Sequence, residues 1–445
     1  MKRVLLLLPT TSYRNHDFLD AAKNLEVEII TAANYCHQLA PLWGMSPIQA
    51  VHFDQPEVAV KQVLAALGRP PDAVLAVDDS GLELAALLRE QLHLPGNLPA
   101  AVRVTRDKLA FRRLLQSGGL NCPDFYHLVN GSQTPALQAP LQFPVVVKAR
   151  RLSSSRGVIR TDTPRAFREA VQWVQGIQVK ADRDAVQLGL VVENFIPGRE
   201  YALEGLLQEG QLRVLALFDK PDPLDGPYFE ETLYITPSRL SQEKQDEIRQ
   251  VVQRACELAG LGSGPIHAEM RLNEQGVWLL EIAARSIGGL CGRMLRHALG
   301  MSLEELILRH ALNLPLPQAQ LDDAAGVMMI PIPRRGIFLG VRHLEEAMNI
   351  ADISDIQITA NPGQTIAPPP EGASYLGFIF ARAISLRAVE SALRQAHQRL
   401  LFDIQSEIPV SLTVSQTQAW TEPVAMRAMT QAACEGGHPV AGAGW

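Results

Sequence analysis

Cysteine is scarce in this chain, and the five present (Cys36, Cys122, Cys256, Cys291 and Cys434) are scattered, odd in number and never spaced as CxxC. That excludes a zinc or disulfide framework of the usual kind and fits a reducing, cytoplasmic setting. An excess of positive charge is also lacking: the net charge of -6 argues against general binding to nucleic acid or an anionic membrane. Long hydrophobic runs are missing too. The opening "MKRVLLLLPT" is basic and then apolar, but Pro9 stops the run too early for a signal or membrane helix. It reads instead as a buried first strand. No GxGxxG follows that strand and no GxxxxGK[ST] occurs anywhere, so neither a dinucleotide fingerprint nor a P-loop is expected.

The 445 residues, 47% hydrophobic and 20% charged, are too many for one core and suggest two to four domains of an ordinary globular protein. The first hundred residues alternate apolar runs ("RVLLLLP", "VEIITA", "DAVLAVDD") with helical patterns, including "GLELAALLREQL". This βαβ rhythm predicts a parallel, Rossmann-like sheet with helices on both faces. In "TRDKLAFRRLLQSGGLNCP", Thr105 is the expected N-cap of a helix carrying Phe111, Leu114 and Leu115, stopped by Gly118, Gly119 and Pro123. Strands are expected at "FPVVVKAR", "LVVENF", "EYALEGLL" and "LRVLALFDK", and an amphipathic helix over 241–259. "SLEELILRHAL" opens with a Ser302…Glu305 capping box. From about Leu314 the chain turns Pro-rich and then reads as mostly antiparallel strands with one helix, "LRAVESALRQAHQRL"; the last thirty residues lack periodicity.

Chemistry concentrates in "GPIHAEMRLNEQGVWLLEIAARSIGG", 264–289, where two acids interrupt a hairpin. Ile266, Ala268, Met270 and Leu272 share one face of the first strand; His267, Glu269 and Arg271 share the other. A three-residue loop, Glu274-Gln275-Gly276, makes Asn273 face Val277 and sets Glu269 directly opposite Glu281. Like charges so placed destabilise a ladder unless a cation lies between them or one holds a proton. Magnesium, which takes one or two carboxylates and completes its shell with phosphate and water, is the natural candidate. The alternative is a pair of surface acids on a solvated sheet face. Lys148 ends an apolar strand, where an ammonium is costly without an anion, and Lys108 sits at the unfavourable end of its helix dipole. Each alone could be a snorkelling surface lysine. With "SSSRG", whose amides and Arg156 could wrap phosphates, they suggest a nucleoside triphosphate with magnesium.

Those segments, with "VVENFIPGREYALEG", match in order and spacing the successive motifs of the ATP-grasp enzymes, and the resemblance covers about Thr105 to Leu312. "GVMMIPIPRRGIFLGVRHLEEA" and "GASYLGFIFARAIS" resemble the C-terminal domain of the L-amino-acid-ligase-like, carboxylate–amine ligase group. The resemblance implies an α/β and α+β multidomain chain: a Rossmann-like domain over 1–104, an ATP-grasp domain over 105–313, a C-terminal mostly antiparallel α+β domain over 314–415 and a poorly structured tail over 416–445. Within the ATP-grasp domain it implies a lid subdomain at about 125–195 and a metal-binding subdomain at about 196–313. It also implies ATP as cosubstrate and a magnesium ion, with manganese as the substitute, held by Glu269 and Glu281. Lys108 and Lys148 would contact phosphates beneath a lid made of Ser153, Ser154, Ser155, Arg156 and Gly157. Glu193, Asn194 and Phe195 would flank adenine, Glu200 would accept the ribose hydroxyls, and Arg285 would face the substrate carboxylate and its acyl phosphate. His267, Lys220 and Glu230 would line the same pocket.

The expected activity is ATP-dependent joining of a small amino-acid-like carboxylate to an amine, through an acyl phosphate, with ADP and phosphate as products. A purine-pathway ligase like glycinamide ribonucleotide synthetase, a biotin-carboxylase-like enzyme and a non-catalytic ATP-binding module are the alternatives. The partners implied are small molecules; a homodimer, common among relatives, stays open. Two departures stand out. Many members carry Asn where this chain has Ala283, as a further metal ligand, and the lid lacks the glycine run of biotin carboxylases.

Overall fold

The computed structural model describes all residues except 10–11, 34–45, 130–136, 139, 182–186, 319–322, 373 and 407–445; the tail expected over 416–445 therefore lies outside the described residues. The first block runs β1 (Arg3–Leu8), α1 (Asn15–Asn24), β2 (Glu28–Ala33), β3 (Ser46–Ala50), α2 (Pro56–Ala66), β4 (Ala73–Ala76), α3 (Leu82–Gln91), α4 (Pro99–Arg106) and α5 (Lys108–Ser117). Its strands form a parallel sheet in the order β3-β2-β1-β4. Val4 to Leu8 are all buried, as a parallel strand covered on both faces requires.

Helix α5 begins differently from the sequence expectation. Thr105 lies in the last turn of α4, its hydroxyl donating to the Val102 carbonyl at 2.9 Å. The cap is Asp107, whose carboxylate accepts from the Leu109 and Ala110 amides at 3.0 and 3.4 Å. A carboxylate both caps and complements the helix dipole, so Asp wins two residues downstream of Thr.

The next block comprises β5 (Phe125–Leu128), β6 (Val145–Ala149), β7 (Val158–Thr161), α6 (Pro164–Ala181) and β8 (Leu190–Asn194), an antiparallel sheet ordered β5-β8-β6-β7. Val145, Val147 and Ala149 pack with α6. The period of two therefore turns Val146 and Lys148 to the other face.

There follow β9 (Arg199–Gln208), β10 (Gln211–Asp219), β11 (Leu233–Thr236), α7 (Gln242–Ala259), β12 (Gly264–Asn273), β13 (Gly276–Ala283), α8 (Arg296–Leu299) and α9 (Leu303–Ala311). Ser241 caps α7 through the Lys244 amide, and Gly260, at φ 75°, ends it. Ser302 caps α9 through the Glu305 amide at 3.1 Å, as its capping-box pattern predicts. The last block is β14 (Ala324–Ile330), β15 (Gly336–Arg342), α10 (Leu344–Met348), β16 (Ile353–Ile358), β17 (Thr365–Ile366), β18 (Gly377–Ala383), α11 (Leu386–Arg399) and β19 (Leu401–Gln405). A small antiparallel sheet has the order β17-β15-β19.

One eight-stranded sheet, ordered β13-β12-β9-β10-β11-β14-β18-β16, carries both blocks. The ladder passes from β11 to β14 by antiparallel pairing of Leu233 with Met328 through Thr236 with Ala325. On one face of its β9–β12–β13 part, Tyr201, Leu203, Ile266, Ala268, Met270 and Ile282 meet α5 and α7 in a core. The opposite face carries the acids.

The hairpin reaches its expected pairing by a different route. Asn273 pairs with Gly276, so the loop is the two-residue Glu274-Gln275, and that register alone would slip Glu281 away from Glu269. A β-bulge between Glu269 and Met270, with Leu280 as the extra residue on β13, restores the opposition of Glu269 and Glu281. Val277 and Leu279 face the core before the bulge and Ile282 does so after it. Without the bulge, alternation would turn Glu281 into apolar packing.

Candidate active site

A cleft enclosing about 1140 Å³ of non-atom space, partly open to solvent, lies between the four-stranded β5-β8-β6-β7 sheet and the eight-stranded sheet. Of the residues expected at the site, Lys108, Lys148, Ser153, Ser154, Ser155, Glu193, Phe195, Glu200, His267, Glu269, Glu281 and Arg285 all line it. Arg156, Gly157, Asn194 and Glu230 do not. Asn194 turns its side-chain oxygen to the Gln142 amide, and Glu230 yields its place to the adjacent Glu231. Lys220 lies beneath the cleft wall, buried among carboxylates.

The side of the cleft nearest the four-stranded sheet is built on Glu193, at the end of β8. Arg112 grips it at 2.7 and 3.1 Å, and Lys148 Nζ lies 2.5 Å from its Oε1. Burial would raise the Glu193 pKa, but the two cations outweigh it and hold the carboxyl at about 2. Burial also pulls Lys148 below its ordinary value, with Glu193 opposing and Arg112 assisting. Arg112 Nη1 also donates to the carbonyls of Leu279 and of Leu280, the bulge residue, at 3.2 and 3.0 Å. Lys108, the first residue of α5, donates to the Leu152 carbonyl at 2.5 Å and lies 4.0 Å from Glu281. Ser154 and Ser155 adopt left-handed φ of 56° and 54°, a conformation that costs a non-glycine residue free energy.

The eight-stranded sheet supplies the opposite character. Glu200, Glu231 and Glu269 bring carboxylate oxygens within 4.8 Å of one another. Lys220 sits among them, 2.8 Å from Glu200 and 3.5 Å from Glu269, and also bonds Glu231. Burial, the Glu269 charge and the opposing Lys220 together leave the Glu231 carboxyl raised to about 7. Tyr234 donates to Glu231 at 2.7 Å. His267 bridges Glu204 at 3.2 Å and Glu269 at 3.4 Å. Burial disfavours its charged form, but the two carboxylates prevail and raise it to about 9. Held between two carboxylates, His267 is placed to orient Glu269. The like-charge conflict of Glu269 and Glu281 is eased from both sides, by Lys220 with His267 and by Lys108.

Arg285, just beyond β13, pairs with Asp79 at 2.7 Å and is held charged by it. Two guanidinium groups pack on Phe195, with Arg160 and Arg271 at 4.2 and 4.8 Å from its ring centre. The wall is completed by Met329 of β14 and by Tyr375. Sequence reasoning missed Arg112, Glu231, Tyr234 and Asp79. Arg112 left a signal, a charge three residues after Leu109 inside the buried stripe of α5. Tyr375 left none.

An oxygen-only donor set suits a hard divalent cation such as magnesium or manganese. Glu269 is common to both candidate sets: it shares the triad with Glu200 and Glu231, and it faces Glu281 across the ladder.

Residues 141–294 match the ATP-grasp domain, and residues 328–405 match the L-amino acid ligase C-terminal domain 2. The crystal structure of L-amino acid ligase from Bacillus licheniformis is similar over 91% of this chain and 99% of that one, with a TM-score of 0.78 and 26% identity. Carnosine synthase 1 of Gallus gallus is 30% identical over 287 residues, 61% of this chain but only 31% of that protein. Alanine–anticapsin ligase of Bacillus subtilis (strain 168) is 26% identical over 306 residues, 63% of each. Among the described residues no helix is long and apolar enough to cross a membrane.

Proposed function

The chain is an ATP-grasp carboxylate–amine ligase carrying the C-terminal domain of L-amino acid ligases, and from that premise we propose that it joins two small amino-acid-like substrates through an acyl phosphate. The observation carrying this reading is the polarity of the cleft. Lys108, Lys148 and Arg285 line it as cations, with the serine loop nearby, while Glu269 and Glu281 line it as acids.

In this reading Lys108, Lys148 and the amides of Ser153 to Ser155 bind the triphosphate of ATP. Glu269 and Glu281 hold the divalent ion, magnesium by choice of donors, which when bound spreads the charge of the γ-phosphoryl group. Phe195 flanks the base and Glu200 the ribose. Arg285 orients the substrate carboxylate, one of whose oxygens bonds to the γ-phosphorus as the bridging P–O bond to ADP breaks. The amine nitrogen then bonds to the acyl carbon, phosphate departs with the activating oxygen, and the nitrogen loses one proton. Binding of the lid loop over the phosphates excludes water from the activated acyl group. Purine-pathway and carboxylase activities are disfavoured by the C-terminal domain matched over 328–405.

The test is release of ADP by the full chain with magnesium and pairwise panels of amino acids, read with mass spectrometry of the products. Amide products accompanied by ADP, abolished in Glu281→Gln, are expected. No stimulation above background across the panel would sink the ligase reading. Activity surviving in both Glu281→Gln and Lys148→Ala would overturn the site assignment alone.

A further inference from the structure

A second cavity, separate in its lining from the cleft except for Arg285, opens along β4. Among the described strands β4 pairs only with β1, so its outer edge is unpaired and faces this space. The wall is mixed: Val74, Leu82, Ile307, Ala311 and Leu314 are apolar, while Asp72, Glu209 and His310 are polar. Into it points Arg89 of α3. Its Nη1 donates to the Val74 carbonyl at 3.2 Å, while its Nε is buried with no hydrogen-bond partner.

Arg89 is only partly buried as a whole, and the deeply buried arginines behave differently. Arg14 pairs with Glu304, Arg112 with Glu193 and Arg271 with Glu200. Among the described residues no carboxylate lies within ion-pair distance of Arg89, and burial alone lowers its pKa to about 10. Asp72, also on the wall, is already engaged by the Lys2 ammonium and the Arg3 amide. The guanidinium is nonetheless firmly placed. Gly96, at φ 152°, packs so closely that a Cβ there would come within 2.5 Å of Arg89 Nε. A guanidinium whose Nε is shut from solvent and which has no anion beside it leaves its cavity-facing side open to one.

We propose that this cavity binds a small monocarboxylate with an apolar body, its carboxylate on Arg89 and its hydrocarbon against Ile307, Ala311 and Leu314. One negative charge matches the unpaired guanidinium, Asp72 and Glu209 on the same wall oppose a more highly charged anion such as phosphate, and the apolar residues favour a branched or aromatic acid. The site is independent of the ligase reading, since it needs neither ATP nor the cleft's acids.

Isothermal titration calorimetry of the full chain with 4-methylpentanoate, and with the neutral 4-methylpentanamide as control, tests it. Saturable binding of the acid is expected, weaker by about tenfold or more for the amide and for Arg89→Gln. Because Arg285 in the cleft could also take a carboxylate, Ala311→Trp serves as a second variant that fills this cavity and leaves the cleft intact. Loss of binding in Ala311→Trp supports the site and remains decisive should Arg89→Gln fail to fold. Absence of saturable binding by the acid, or equal binding to both folded variants, would overturn the proposal.

Discussion

Two clusters of buried charge face each other across the cleft, and they are built in opposite proportion. Around Glu193, two cations serve one carboxylate; around Lys220, three carboxylates serve one cation. The first cluster carries an excess of positive charge suited to a phosphate. The second gathers three carboxylates within reach of one divalent ion, with Arg271 on Glu200 and His267 on Glu269 at its margin. The titration of each follows: Glu193 is held at about 2, whereas Glu231 rises to about 7. Neither cluster is a stability device in itself, because buried pairs recover little more than their desolvation cost. Each is an incomplete set that a ligand of the other sign completes.

The comparison can be broken most severely at its hubs. Arg112→Met leaves Glu193 with one partner and strips the bulge carbonyl of its donor, so a loss of about 3–5 kcal/mol is expected in denaturant unfolding. Lys220→Met leaves its carboxylates without their central cation. Its thermal midpoint should fall, and added magnesium should restore more of it than magnesium adds to the unmodified chain. An equal magnesium response in both would show that the ion does not share this acid cluster.

The pH responses should have opposite sign. Glu193 has a lowered folded pKa, so its stabilisation is present above the unfolded value of 4.5 and lost as pH falls toward about 2. Glu231 has a raised folded pKa, so its contribution is present below 4.5 and lost as pH rises through about 7. Unfolding free energies against pH should flatten at the acid end in Glu193→Gln and between about 4.5 and 7 in Glu231→Gln. The smallest effect belongs to Tyr234→Phe, which removes one hydrogen bond to Glu231 and should cost about 1 kcal/mol by the same measurement.

Much of this was legible in local pattern. Alternation along β12 separated Ile266, Ala268 and Met270 from His267, Glu269 and Arg271, because a half-buried strand writes its two faces in turn. The opposition of Glu269 and Glu281 was read correctly from a loop one residue too long; the bulge at Leu280 supplies the compensating shift. A bulge has no residue signature comparable to a turn glycine, so parity along β13 could not be read directly. What sequence hid were pairings between distant segments. The bond of Arg285 to Asp79 and the gathering of Glu200, Glu231 and Glu269 exist only once sheets are stacked. The Asp107 cap, by contrast, was within reach: a carboxylate in front of the helix competes better than a threonine two residues earlier.

The unbroken ladder from β11 to β14 has a mechanical consequence. A hinge between the two blocks would have to tear four residue pairs of a central sheet, from Leu233 with Met328 to Thr236 with Ala325. A chain cut after residue 313 would lose β14 and bare the edge of β11, inviting strand exchange between copies or aggregation. The C-terminal block is less an appendage than the missing half of a seam.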